Sequence, residues 1–208
     1  MNIAAIPTGT NRQLILASTS RYRRELLERL HIPFKVVAPD VDETPLPQES
    51  PIDLAGRLAL AKAKAVADQF QLAVVIGSDQ VADLDGLSLG KPGTHNKAVA
   101  QLRQMRGKTV IFQTAVAVVC LASGFEQLHL AAVRVKFRNL TDDEIENYLQ
   151  FEKPYDCAGS AKSEGLGIAL LDSIDSDDPT ALIGMPLIRT CQMLRAAGIE
   201  LLSAKSAS

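Results

Sequence analysis

Residues 73–93 read AVVIGSDQVADLDGLSLGKPG, and the change of character within them decides the fold. The unbroken small and apolar run from Ala73 to Gly77 has the composition of a strand buried on both faces, and it is expected to end at Ser78 and Asp79. Beyond it, Asp85-Gly86 lies between two short extended pieces, a two-residue turn signal that predicts a hairpin. A carboxylate at the carboxyl end of a buried strand stands where ligands bind in open α/β sheets, which makes Asp79 the first candidate for chemistry. A turn residue would leave the same trace. The rigidity that so apolar a strand imposes favours the catalytic reading.

Upstream, Leu14–Ala17 reads as a strand entering the cluster Ser18-Thr19-Ser20, and RYRRELLERL (21–30) as the helix after it. Residues 34–37 form a second strand. A Pro-rich acidic loop follows, and Pro51 opens a long helix that runs to Phe70. Downstream, Thr94 caps a helix stopped by Gly107, and two long β runs, 108–122 and 129–140, turn at Ser123-Gly124-Phe125 and pair antiparallel. Thr141 with Glu144 forms a capping box, and the last helix lies between Pro186 and Gly198. Strands alternating with helices around an inserted hairpin predict an α/β fold on a mixed sheet.

With 208 residues, 47% of them hydrophobic, the chain can bury a sizeable core, and residues 13–200 read as a single domain or two joined lobes, with flexible ends at 1–12 and 203–208. A net charge of -2 gives no global attraction to nucleic acid or to an anionic membrane, so phosphate recognition must come from a local basic cluster. No stretch reaches the roughly 18 apolar residues of a membrane span. Cys120, Cys157 and Cys191 are scattered and odd in number, which points to reduced thiols and a cytoplasmic location. GxxxxGK[ST], GxGxxG, HExxH and CxxC are all missing, and His31, His95 and His129 form no triad or metal pattern.

Three further segments carry chemistry. In ASTSRYRRELL (17–27), Ser18, Ser20 and the arginines 21, 23 and 24 gather at a helix start, where free N–H groups and guanidinium forks grip phosphate. A Ser cap with solvated arginines is the plain alternative, but cations there oppose the helix dipole and call for a partner. Asp40, Asp42 and Glu43 offer carboxylates of the kind a hard divalent cation needs, or a solvated turn. The small-residue loop CAGSAKSEG (157–165), with Glu164, lets backbone approach a ligand closely.

In this order ASTSRYRRELL, VDET, the lysine of LALAKAKA, GSDQV, GKP and CAGSAKSEG resemble the Maf family of nucleotide pyrophosphatases over roughly residues 13–200. The resemblance implies an elongated, ITPase-like mixed twisted sheet with helices on both faces, a cleft between two lobes, and a cytoplasmic homodimer. It implies a nucleoside triphosphate substrate and a divalent metal, Mg2+ or Mn2+. Asp79 matches the family's proton acceptor, Ser18, Ser20, Arg23, Lys62 and Lys91 match phosphate positions, and Glu43 with Asp79 matches the metal site. Tyr22, Gln80 and Glu164 match specificity positions. The first and last of these, aromatic Tyr22 and acidic Glu164, are similar to the branch acting on 7-methyl-GTP rather than on dTTP or UTP. The chemistry agrees, because N7 methylation makes the purine cationic and an aromatic face attracts it by about 0.5 to 2 kcal/mol. The family is also associated with inhibition of septum formation, so a nucleotide binder without turnover is the reading from another class. Arg21 stands where the family commonly has proline, which implies either a less rigid loop or a further phosphate contact; Met185 stands in place of a usual leucine.

Overall fold

The computed structural model describes residues 12–202, so the ends expected to be flexible lie, Arg12 apart, outside the described residues. Seven strands are described: β1 (Leu14–Ala17), β2 (Lys35–Val37), β3 (Val74–Leu84), β4 (Leu87–Leu89), β5 (Thr109–Cys120), β6 (Phe125–Phe137) and β7 (Leu171–Asp175). They form one mixed sheet in the order β2-β1-β3-β5-β6-β7, with β4 also paired to β3. The β1 pairs with β2 and β3 are parallel and the remaining pairs antiparallel. Five α-helices accompany them: α1 (Arg21–Glu28), α2 (Pro51–Ala67), α3 (His95–Met105), α4 (Asp142–Glu152) and α5 (Leu187–Ala196). This is the α/β mixed sheet expected.

Local chemistry accounts for most boundaries. Asp85 and Gly86 both take positive φ, +54° and +86°, the left-handed pair that a tight β3–β4 hairpin requires. Ser20, Ser50, Thr94 and Thr141 each cap the helix that follows, and Thr141 closes the expected capping box with Glu144. The long helix α2 stops at Ala67, three residues short of the expected end, and β7 is a strand that the sequence pattern did not announce.

One boundary matters for function. The strand expected to end at Ser78 continues to Leu84, which places Asp79 in the middle of β3, opposite Ala115 of β5. On its other edge β3 pairs with β1 only as far as Gly77, and β4 takes over only at Ala82. Ser78 to Val81 therefore have no strand partner on that side among the described residues. The opening expected at a strand end is real, but it is the end of β1 that makes it.

Three apolar clusters hold the sheet. One lies beneath α2 (Ile15, Leu54, Leu58, Val75), one beneath α1 and α5 (Leu16, Leu26, Leu27, Val116, Leu194, with Met185 fully buried), and one around α3 and α4 (Leu102, Phe112, Phe137, Leu149). The helix α2 presents Ala55, Ala59 and Ala63 to the sheet and sits unusually low. A Cβ on Gly77 would lie 2.2 Å from the Ala59 carbonyl oxygen and 2.6 Å from the Ala63 nitrogen, so glycine is required there for close approach.

Candidate active site

The close seating of α2 delivers Lys62 to Asp79. The two side chains are almost fully buried, and Lys62 Nζ donates to Asp79 Oδ1 at 2.7 Å. The same ammonium lies 2.6 Å from Glu43 Oε1, so one cation bridges both carboxylates that the sequence assigned to a metal. Of the three carboxylates of the acidic loop, Glu43 alone lines the cleft: Asp40 is exposed, and Asp42 Oδ1 accepts from Thr44 N at 2.9 Å. Arg57 of α2 fixes this loop by donating to both oxygens of Glu49, at 2.5 and 2.8 Å, and to the Thr44 carbonyl at 3.1 Å. Neither Arg57 nor Glu49 was singled out in the sequence; their spacing of eight residues spans a loop and a helix start and resembles no motif.

Ser18, Ser20, Arg23, Glu43, Lys62, Asp79, Gln80 and Lys91 line a single cleft of about 370 Å³. Ser20 caps α1 and accepts from Arg23 N, while Ser18 Oγ accepts from Ser20 N at 3.1 Å and keeps its own hydrogen free to donate. Arg23 Nε donates to the Gly184 carbonyl at 2.9 Å, which holds the guanidinium in place; its two Nη groups have no partner among the described residues. Lys91, just after β4, is exposed and likewise unpaired among the described residues. The other two arginines of the cluster turn away. Arg24 pairs with Glu28, and Arg21 lies over the Tyr22 ring at 4.7 Å and donates to its hydroxyl at 2.6 Å, beside Asp156. Arg21 is therefore a brace for Tyr22 rather than a further phosphate contact.

A recess of about 60 Å³ adjoins the cleft, shares Ser20, Arg23, Gln80, Lys91 and Ala158 with it, and adds Tyr22, Cys157 and Glu164. The structure thus brings together the three positions expected to set specificity. Gln80 Nε2 donates to Thr114 Oγ1 at 2.9 Å and to the carbonyls of Ala181 and Leu182, both at 3.0 Å; these acceptors fix the amide orientation and leave Oε1 to accept from a ligand. Because successive strand residues point to opposite faces, Asp79 meets α2 on one side of β3 while Gln80 meets the 181–184 turn on the other. The unpaired edge between Gly77 and Ala82 joins the two.

Electrostatics follow the geometry. Burial lowers the Arg23 guanidinium from its ordinary range against the pull of Asp79 and Glu43. At Glu43 burial acts upward, yet the hydrogen bond and charge of Lys62, helped by Lys91 and Arg23, hold the carboxyl below its usual value. Burial raises Glu164, and the neighbouring Glu152 and Glu25 add to it against Lys162. The Cys157 thiol is pushed up to about 11, chiefly by burial, and is a poor nucleophile at neutral pH.

No three His, Cys, Asp or Glu side chains converge as a metal cluster among the described residues. Glu43 and Asp79 nevertheless suit a hard cation, since both already share one charged group, and a divalent ion that brings phosphate oxygens with it needs only one or two protein carboxylates. No described helix is long and apolar enough to cross a membrane.

The family model described as a Maf-like protein matches residues 13–197. A 7-methyl-GTP pyrophosphatase of Polaromonas sp. is 77% identical over 93% of this chain and 89% of its own length. Proteins of the same name from Albidiferax ferrireducens and Aromatoleum aromaticum are 70% and 60% identical, over 93% and 91% of this chain and 97% of their own lengths.

Proposed function

The chain belongs to the Maf family, and from that premise we propose that it hydrolyses 7-methyl-GTP to 7-methyl-GMP and pyrophosphate, clearing a modified nucleotide. The observation that carries the reading is the Lys62-held Asp79 on the floor of a cation-lined cleft that opens onto a recess containing Tyr22, Gln80 and Glu164.

The triphosphate lies on the α2 side of β3. Arg23, Lys62 and Lys91 attract its oxygens and offset the charge that develops as the bond breaks, and the Ser18 and Ser20 hydroxyls with the first N–H groups of α1 donate to them. Asp79 takes the proton of the attacking water. Its Oδ1 is held by Lys62, and Oδ2 has no partner among the described residues and is the oxygen to which that proton passes. Water oxygen bonds to the α-phosphorus, the α–β bridge breaks, and pyrophosphate leaves. Glu43 would hold the divalent ion, Mg2+ or Mn2+, which supplies charge neutralisation on the phosphate oxygens when bound; Asp79 is the other carboxylate within reach, but with Oδ1 on Lys62 and Oδ2 taking the proton it serves first as the base.

The base crosses the open edge of β3 into the recess. Tyr22 offers a π face to the cationic purine, Gln80 Oε1 accepts from its edge, and the desolvated Glu164 carboxylate, whose pKa stays raised despite Lys162, gains a further cation and further N–H donors. A neutral purine or a pyrimidine returns less to Glu164, which is the physical basis of the preference. The reading also takes residues 13–200 as one domain of two lobes, working as a cytoplasmic homodimer without nucleic-acid or membrane partners.

The test is pyrophosphate release from a panel of 7-methyl-GTP, GTP, dTTP and UTP, with Mg2+, with Mn2+ and with a chelator. Metal-dependent release fastest from 7-methyl-GTP supports the proposal. Equal or faster release from the pyrimidine nucleotides would overturn the substrate assignment, and no release from any would leave a nucleotide binder.

A further inference from the structure

The segment Asp178–Met185 contributes no side chain to the chemistry above, yet three of its carbonyls hold residues that do. Ala181 O accepts from Gln80 Nε2 and Thr114 Oγ1, each at 3.0 Å, and Leu182 O accepts from the same Gln80 amide at 3.0 Å. Gly184 O accepts from Arg23 Nε at 2.9 Å and lies 3.0 Å from Ser78 Oγ. One short turn thus fixes both the arginine of the phosphate cleft and the amide of the base recess.

Asp178 sets the turn itself. It is 6% exposed, and its Oδ1 accepts from Thr180 N at 2.9 Å and from Thr180 Oγ1 at 2.6 Å, while Oδ2 accepts from Ile188 N at 2.7 Å in the first turn of α5. Thr180 Oγ1 in turn accepts from Leu187 N at 2.8 Å. The carboxylate therefore ties the start of the turn to the helix that follows it, and every partner of its two oxygens is a donor. An amide in its place must aim N–H at the N–H of Thr180 or of Ile188, so one partner loses its acceptor.

We infer that Asp178 is a positioning residue that links phosphate grip to base discrimination through the carbonyls of residues 181–184. The inference rests on the roles proposed above for Arg23 and Gln80. It is tested in the full chain with Asp178→Asn, which keeps size and shape. Three quantities are measured: the affinity for inorganic triphosphate, the ratio of kcat/KM for 7-methyl-GTP over GTP, and the melting temperature. Triphosphate affinity is expected to fall by about tenfold, the equivalent of 1.4 kcal/mol, and the ratio to fall with it. A lower melting temperature with both the affinity and the ratio at wild-type values overturns the inference, since that is what a purely structural residue would give. If Asp178→Asn does not fold, Thr180→Val removes the hydroxyl with its contacts to Asp178, Leu187 N and the Met185 carbonyl while leaving the carboxylate in place, and is read in the same two ways. Should the wild-type enzyme show no preference for the methylated base, the substrate proposal fails, and triphosphate affinity still decides on Asp178.

Discussion

Replacing Gly77 by alanine tests how the fold makes the site. The added Cβ meets two backbone atoms of α2, the Ala59 oxygen at 2.2 Å and the Ala63 nitrogen at 2.6 Å, and neither can rotate away. The helix must retreat by about 1 Å, which strips contacts from a close-packed interior. Overpacking costs about 1 to 3 kcal/mol, and a clash with backbone belongs at the top of that range. For a chain of this length that lowers the melting temperature by about 6 to 12 °C. The same retreat draws Lys62 away from Asp79, whose separation is now 2.7 Å, and a displacement of about 1 Å at such a site costs about 100-fold in rate. Thermal unfolding without ligand and initial rates of pyrophosphate release on the purified variant give both numbers. A variant that melts with the wild type and turns over at its rate would refute the claim that α2 is seated on Gly77 to place Lys62.

Three other substitutions probe separate parts. Glu164→Gln is expected to lower the preference for 7-methyl-GTP over GTP. Because the folded protein raises this carboxyl, its ionised form weakens stability as pH rises past the ordinary carboxylate range, so the variant should match or exceed wild-type stability at neutral pH and lose that advantage in acid; pH-dependent melting checks the sign. Lys62→Met leaves Asp79 buried without its cation and should destabilise by about 3 kcal/mol in urea denaturation, whereas Lys62→Met with Asp79→Leu should recover part of the loss. Arg57→Leu frees the acidic loop and should raise the metal concentration needed for half-maximal rate. Arg57 holds Glu49 at about 2 against an ordinary 4.5, so the stability difference from wild type should be complete above pH 4.5 and vanish as pH falls through 2.

Much of this was legible in the sequence because it is written in local chemistry. The Asp85-Gly86 turn, the caps at Ser20, Thr94 and Thr141, the Pro51 helix start and the hairpin at Gly124 each depend on a few adjacent residues. The length of β3 was not legible: Ser78, Asp79 and Gln80 break the apolar run and look like a strand end, yet Asp79 and Gln80 line two parts of one site and buried Ser78 bonds the Ala115 and Gly184 carbonyls, so polarity there records function and packing rather than a boundary. The strand β7 escaped because Leu171–Asp175 is short and mostly exposed at the sheet edge, with no buried face to impose a pattern. The 181–184 turn was invisible for a different reason, since it acts through carbonyl oxygens that every residue type carries. The residue types alone leave Arg21, Arg23 and Arg24 equally eligible; the family resemblance points to Arg23, and the tertiary contacts agree, since Arg24 pairs with Glu28 and Arg21 stacks on Tyr22.

The central claim is that Asp79 accepts the proton of the attacking water while the cations around it hold the triphosphate. Single-turnover pyrophosphate release by Asp79→Asn, with 7-methyl-GTP binding measured on the same preparation, tests it most directly. The account predicts binding close to wild type and a rate lower by about 100- to 10,000-fold. Release at the wild-type rate by a folded, nucleotide-bound Asp79→Asn would contradict it.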